Sequence, residues 1–178
     1  MTHLKSNEKI GIFRNRGGED GLSVPQFRDF IFEQINSIGS MVLSNPVIPV
    51  TQIFNDTTFT TINGFDEVTI QTSLITPNTV NNTITVLENG IYMFTGGLSL
   101  TFPGPEELGV MWFVNNVAIS PNPISLDGRG VNNSITTSWE SIATLKKDDI
   151  VTMKAINLST GNFTANMLAM FFTVKRIG

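Results

Sequence analysis

The sequence predicts an all-β sandwich or jelly roll, preceded by a polar arm and one short helix. Three observations predict it. Between Val50 and Gly178, β-branched and aromatic runs alternate with Asn-Gly, Pro-Asn and Asn-Asn pairs, a density of about eight to ten strands in ~130 residues. The bulk of that region is Thr, Ile, Val and Phe, which suit a pleated half-buried surface, with Asn and Gly supplying turns. No repeat with a period of about 20–50 residues is present, which sets aside solenoids and propellers.

Taken in order, residues 2–21 read as a flexible arm, polar and broken by Gly17, Gly18 and Gly21. A helix is expected next. Ser23 can cap it, Pro25 fits its first turn and Gly39 ends the run. Phe27, Phe30, Ile31, Gln34, Ile35 and Ile38 recur at helical spacing, while Arg28, Asp29, Glu33 and Asn36 fall mostly on other faces. Such a helix is marginal alone, so its apolar stripe needs a partner. Either the domain's own sheet or a docking partner could serve, with Phe27, Phe30, Ile31 and Ile35 as the contact residues. Residues 44–49 contain Asn45, Pro46 and Pro49 and read as a break. The chain therefore divides into residues 1–48, an arm and amphipathic helix for docking or oligomerisation, and residues 49–178, the sandwich.

Strands are expected at residues 59–62, 67–75, 83–87, 91–102, 110–114, 117–119, 134–144, 150–156 and 165–177. Two of them are apolar on both faces. In the last, Met167, Ala169 and Phe171 alternate with Leu168, Met170, Phe172 and Val174. In the 91–102 strand Tyr92 and Phe94 oppose Ile91 and Met93. A strand with one wet face should be polar at every second position, so these two point to a subunit interface.

Three pieces resemble a known family. Glu88-Asn89-Gly90-Ile91-Tyr92-Met93-Phe94 resembles the G-x-Y-x-F strand of the complement globular head and tumour necrosis factor superfamily. Residues 143–151 are similar to its L-x-x-G-D-x-V turn, with Asp148 standing in place of Gly. Asn162-Phe163-Thr164-Ala165 is similar to its F-S-G piece before the terminal strand. The resemblance spans about residues 50–178 and implies a ten-stranded jelly roll that forms trimers. It implies a trimer interface around Tyr92, Phe94, Phe163, Met167, Ala169 and Phe171. A neutral arm and helix ahead of such a domain, without a Gly-X-Y stalk, is similar to bacteriophage virion proteins that decorate capsids or tip fibres.

Composition excludes several classes of function. With no Cys, disulfides, thiolate catalysis and Cys-based zinc sites are ruled out, which fits synthesis in a reducing cytoplasm. No signal-peptide pattern opens the chain, and no run reaches the ~18 apolar residues of a membrane span. Lys and Arg are absent from Pro49 to Leu126 and the pI is near 4.9, which argues against nucleic acid. His3 is the only histidine and lies in the arm, so a His-paired nucleophile has no base. The acidic pairs Asp66-Glu67, Glu106-Glu107 and Asp148-Asp149 read as solvated loop charges, and Trp112 and Trp139 as packing residues before sugar-stacking ones. No catalytic, cofactor or metal site is expected. Charged residues make up 15%, against ~25% for an ordinary domain, so association is part of the design. The expected function is a non-enzymatic virion structural protein, a trimeric capsid decoration or head-fibre protein anchored to a capsid or tail protein by its N-terminal segment. The alternative is a receptor-binding fibre tip, whose partner would be a host surface glycan.

Overall fold

Alternating burial along successive strands builds two antiparallel sheets that face each other across one apolar core. The computed structural model describes residues 37–43, 49–128 and 133–178. Among them the strands are, in chain order, β1 (Ile38–Leu43), β2 (Val50–Phe54), β3 (Thr60–Thr61), β4 (Glu67–Gln71), β5 (Ile75–Asn78), β6 (Thr83–Val86) and β7 (Gly90–Phe102). There follow β8 (Glu107–Val114), β9 (Val117–Ala118), β10 (Ile124–Asp127), β11 (Asn133–Leu145), β12 (Ile150–Asn157) and β13 (Phe163–Arg176). The all-β sandwich expected from the sequence is thus the architecture found.

The six-stranded sheet runs β11-β7-β13-β1-β4. Its backbone is β13, which pairs with β7 along one side and with β2 and then β1 along the other. The seven-stranded sheet runs β10-β8-β12-β6-β5, with β3 added to β12 and β9 to β8. Trp112, inward on β8, ties the layers together: its ring lies 5.9 Å from Phe94, 5.6 Å from Trp139 and 5.0 Å from Phe172. Gly96 makes the room. A Cβ on it would stand 2.7 Å from the Trp112 ring.

The expected helix falls mostly outside the described residues, including Phe27, Phe30, Ile31 and Ile35. Its last turn does not. Ile38 and Gly39, read as the helix end, lie in β1, where Gly39, Met41 and Leu43 point inward. Pairing with β13 on one side and β4 on the other outweighs the helical spacing of these few residues. The sandwich therefore begins ahead of the break read at Pro49.

Three further departures have local causes. The 67–75 run is two strands in different sheets, because the chain turns at Thr72, whose carbonyl accepts the Ile75 N–H, and crosses to the second layer. Strands β2 and β10 were not anticipated; each is short and mixed in polarity. The apolar two-facedness of β13 is largely a β-bulge. Register shifts between Met167 and Ala169, so Ala165 and Met167 point inward before it, and Met170, Phe172 and Val174 after it.

Turn chemistry accounts for the remaining connections. Asn115 and Asn116, at φ 50° and 66°, close the β8–β9 hairpin as a two-residue turn with both residues left-handed. Asp148, at φ 69°, occupies the place where the resembled motif carries Gly, which explains why that motif favours it.

Candidate functional site

The outward positions of the two sheets differ. On the seven-stranded sheet Met111 and Phe113 point away from the core, yet both are buried. The chain covers them itself. Phe59 packs 5.1 Å from the Phe113 ring, the Lys154 ammonium sits 4.8 Å over the same ring, and Pro123 rests on Gly109.

On the six-stranded sheet no such cover exists among the described residues. Ile53 and Ile142 are each 62% exposed, and Ile91 and Phe171 are partly exposed beside them. At the outward positions of β7, β11 and β13 the charged residues are Glu140 and Lys175, and the rest are Ser, Thr, Asn and apolar. The hydroxyls satisfy one another across strands. Thr136 donates to Ser99 at 3.0 Å, Thr101 pairs with Ser134 at 3.1 Å, and Ser40 pairs with Thr173 at 2.8 Å. A face whose polar groups already have partners gives up little when water leaves it.

A shallow apolar groove of about 300 Å³ crosses this face. It lies between Val42 on β1, Ser99 on β7, Thr136 on β11, and Ala169 and Phe171 on β13. Phe171 lies over Gly97, its cross-strand neighbour, and a side chain on Gly97 would collide with the ring.

Of the six residues read as a trimer interface, Ala169 and Phe171 are the two that reach this face. The other four do not. Tyr92, Phe94 and Met167 are wholly buried in the protomer's own core, and Phe163 is buried between Phe54 and Phe102 at 5.8 and 5.6 Å. Their inward position on β7 and β13 makes them core residues, not contact residues. The Tyr92 hydroxyl donates to the Glu88 carbonyl at 2.9 Å, and burial pushes the phenol above its ordinary pKa. Gly97, Ser99, Thr136 and Val42 went unread, since small and polar residues leave no hydrophobic signal. What could have found them is the period-two series Ile91, Met93, Thr95, Gly97, Ser99 and Thr101.

Elsewhere the titratable groups serve the fold. Asp149 accepts from Asn115 Nδ2 at 2.7 Å and from the Lys146 N–H at 2.8 Å, locking the β11–β12 turn. Arg176 pairs with Glu88 at 3.0 Å. Among the described residues no three His, Cys, Asp or Glu side chains are grouped to hold a metal, and no helix is long and apolar enough to cross a membrane.

No protein-family model and no curated protein matches the chain. Solved structures do. Murine APRIL at pH 8.5 superposes with a TM-score of 0.50 at 14% identity, over 78% of this chain and 99% of that one. The globular domain of the zebrafish complement 1qA protein gives 0.46 at 15% identity, over 79% and 96%. Rabbit GITRL gives 0.44 at 15%, over 79% and 93%. At such identities the likeness is one of fold, and the fold is the jelly roll of tumour necrosis factor-like ligands and complement globular heads.

Proposed function

We propose that this chain is a non-enzymatic, self-assembling jelly roll. It closes into a trimer over the outer face of the six-stranded sheet. The observation that carries the reading is the contrast between the two outer faces. One is covered by its own chain, while the other presents Ile53, Ile142 and Phe171 among hydroxyls that already have partners. Burying apolar area at roughly 25 cal/mol per Å² drives association, and threefold symmetry multiplies each contact.

Within that reading the trimer is a virion structural protein made in the host cytoplasm, a capsid decoration or head fibre held by its N-terminal segment. The low charge, the absence of Cys and the arm ahead of the jelly roll support it. Sedimentation equilibrium tests the assembly: the expected mass is three times 19.5 kDa. A monomer at micromolar concentration would remove the proposal's basis. For the virion role, full-length protein is expected to bind undecorated capsids of the source virus, while a variant lacking residues 1–36 stays trimeric and does not.

A further inference from the structure

A second site lies where the two sheets meet at β11. Trp139 points inward from β11 and Trp112 from β8, and their rings are 5.6 Å apart. An indole N–H can only donate. Both nitrogens are buried, and neither has an acceptor. Buried donors in folded proteins are nearly always paired, so two adjacent orphans in one place are unusual.

Both rings line a cavity of about 90 Å³, room for several waters or for one group of about four heavy atoms. Met111 and Ile124 give it apolar lining, and Ser120, Asn122 and Ser141 give it polar lining. Glu140 lines it too, so an anionic ligand meets a like charge and a neutral acceptor does not. The two nitrogens are themselves shut from solvent, so a ligand enters as segment 119–123 shifts. That segment is mostly exposed and is held to β8 by the Ile119 N–H on the Trp112 carbonyl at 3.1 Å and by Pro123 over Gly109.

We propose that this cavity binds the acetamido group of an N-acetylhexosamine. The group has one methyl for Met111 and Ile124 and one neutral carbonyl oxygen for the indole donors. Its N–H can be taken by a hydroxyl or amide oxygen at Ser141 or Asn122. The exposed Ser120 and Asn122 beside it offer both donors and acceptors to ring hydroxyls. This inference rests on the tryptophan pair and is independent of oligomeric state.

The test is intrinsic fluorescence, since the chain's two tryptophans are both at the site. N-acetylglucosamine or N-acetylgalactosamine is expected to shift the emission saturably, and glucose and galactose are expected to do so at least about tenfold more weakly. Trp139→Phe keeps the ring and removes one donor, and should weaken binding about 3–10-fold with little change in melting temperature. Should that variant fail to fold, Asn122→Ala in the exposed segment is expected to fold normally and also to weaken binding. The proposal is overturned by the absence of a saturable response up to about 100 mM sugar, or by an equal response to glucose. It is equally overturned by an N-acetyl-lysine peptide that binds as tightly as the sugars.

Discussion

Replacing Ala169 with glutamate separates assembly from folding. In one protomer Ala169 is exposed on the outer face of the six-stranded sheet, so the new carboxylate stays hydrated and changes stability by no more than about 0.5 kcal/mol. In a trimer closed over that face it is buried beside Phe171 and Ser99, in a groove whose lining holds no cation. It must then take up a proton or hold the subunits apart. Protonating a glutamate near pH 7 costs roughly 4 kcal/mol, because that is nearly three pH units above its ordinary range. Symmetry triples this to about 11 kcal/mol per trimer, which is close to the whole free energy of a nanomolar association. The sign follows from burial. The carboxyl's pKa is raised on assembly, so the penalty is absent below the ordinary carboxylate range and grows as pH rises. Sedimentation equilibrium should therefore find Ala169→Glu monomeric near pH 7 and trimeric near about pH 4, with a wild-type monomer melting profile. Ala169→Gln, of equal size and no charge, should be trimeric at both. A glutamate variant that remains trimeric near pH 7 would place Ala169 outside every interface and refute the assignment of this face.

Three other outcomes follow from single positions. Gly96→Ala places a Cβ 2.7 Å from the Trp112 ring and 3.0 Å from the Met153 sulfur, and should cost about 1–3 kcal/mol in urea unfolding followed by tryptophan emission. Asp148→Gly relieves a left-handed residue and should gain about 0.5–1 kcal/mol in the same assay; a loss would show that the Asp148 side chain contributes to the turn. Tyr92 is the only tyrosine, so phenolate absorbance near 295 nm reports it alone. Because burial raises its pKa, the folded protein should resist ionisation at pH values where the unfolded chain ionises, and stability should fall as pH climbs past the ordinary tyrosine range. Ordinary titration of the phenol in folded protein would contradict its burial.

Strand β7 is legible from its residues, since Tyr92, Phe94, Leu98, Leu100 and Phe102 keep a strict period of two and all face the core. Strand β13 is legible as a strand but not face by face. One extra residue at Leu168 exchanges the two faces, and a period-two reading then finds apolar residues on both. Strand β8 defeats the same reading for another reason: Met111 and Phe113 are covered by Phe59, Lys154 and Pro123, partners that are distant in sequence. The candidate face was half legible. Phe171 and Ala169 stood out because they are apolar, whereas Gly97, Ser99 and Thr136 acquire meaning only once β7, β11 and β13 are side by side. The buried indole donors were not legible at all, since a tryptophan's sequence neighbours do not say whether its N–H finds an acceptor.

The position of β13 has a consequence for how the chain is made. This last strand is flanked by β7 on one side and by β1 and β2 on the other, and Ser40 meets Thr173 across 133 positions of sequence. Pairings that distant are slow to form, because the intervening chain must be gathered before any contact rewards it. During synthesis on the ribosome, β1, β2 and β7 emerge early and have no common neighbour until translation reaches residues 163–176. Until then β7 has β11 alone, and its apolar core side chains have only part of their cover. A premature stop upstream of Phe163 would therefore remove more than one strand. It would take away the shared partner of three others and release a product with open sheet edges, the form of polypeptide that aggregates or is degraded.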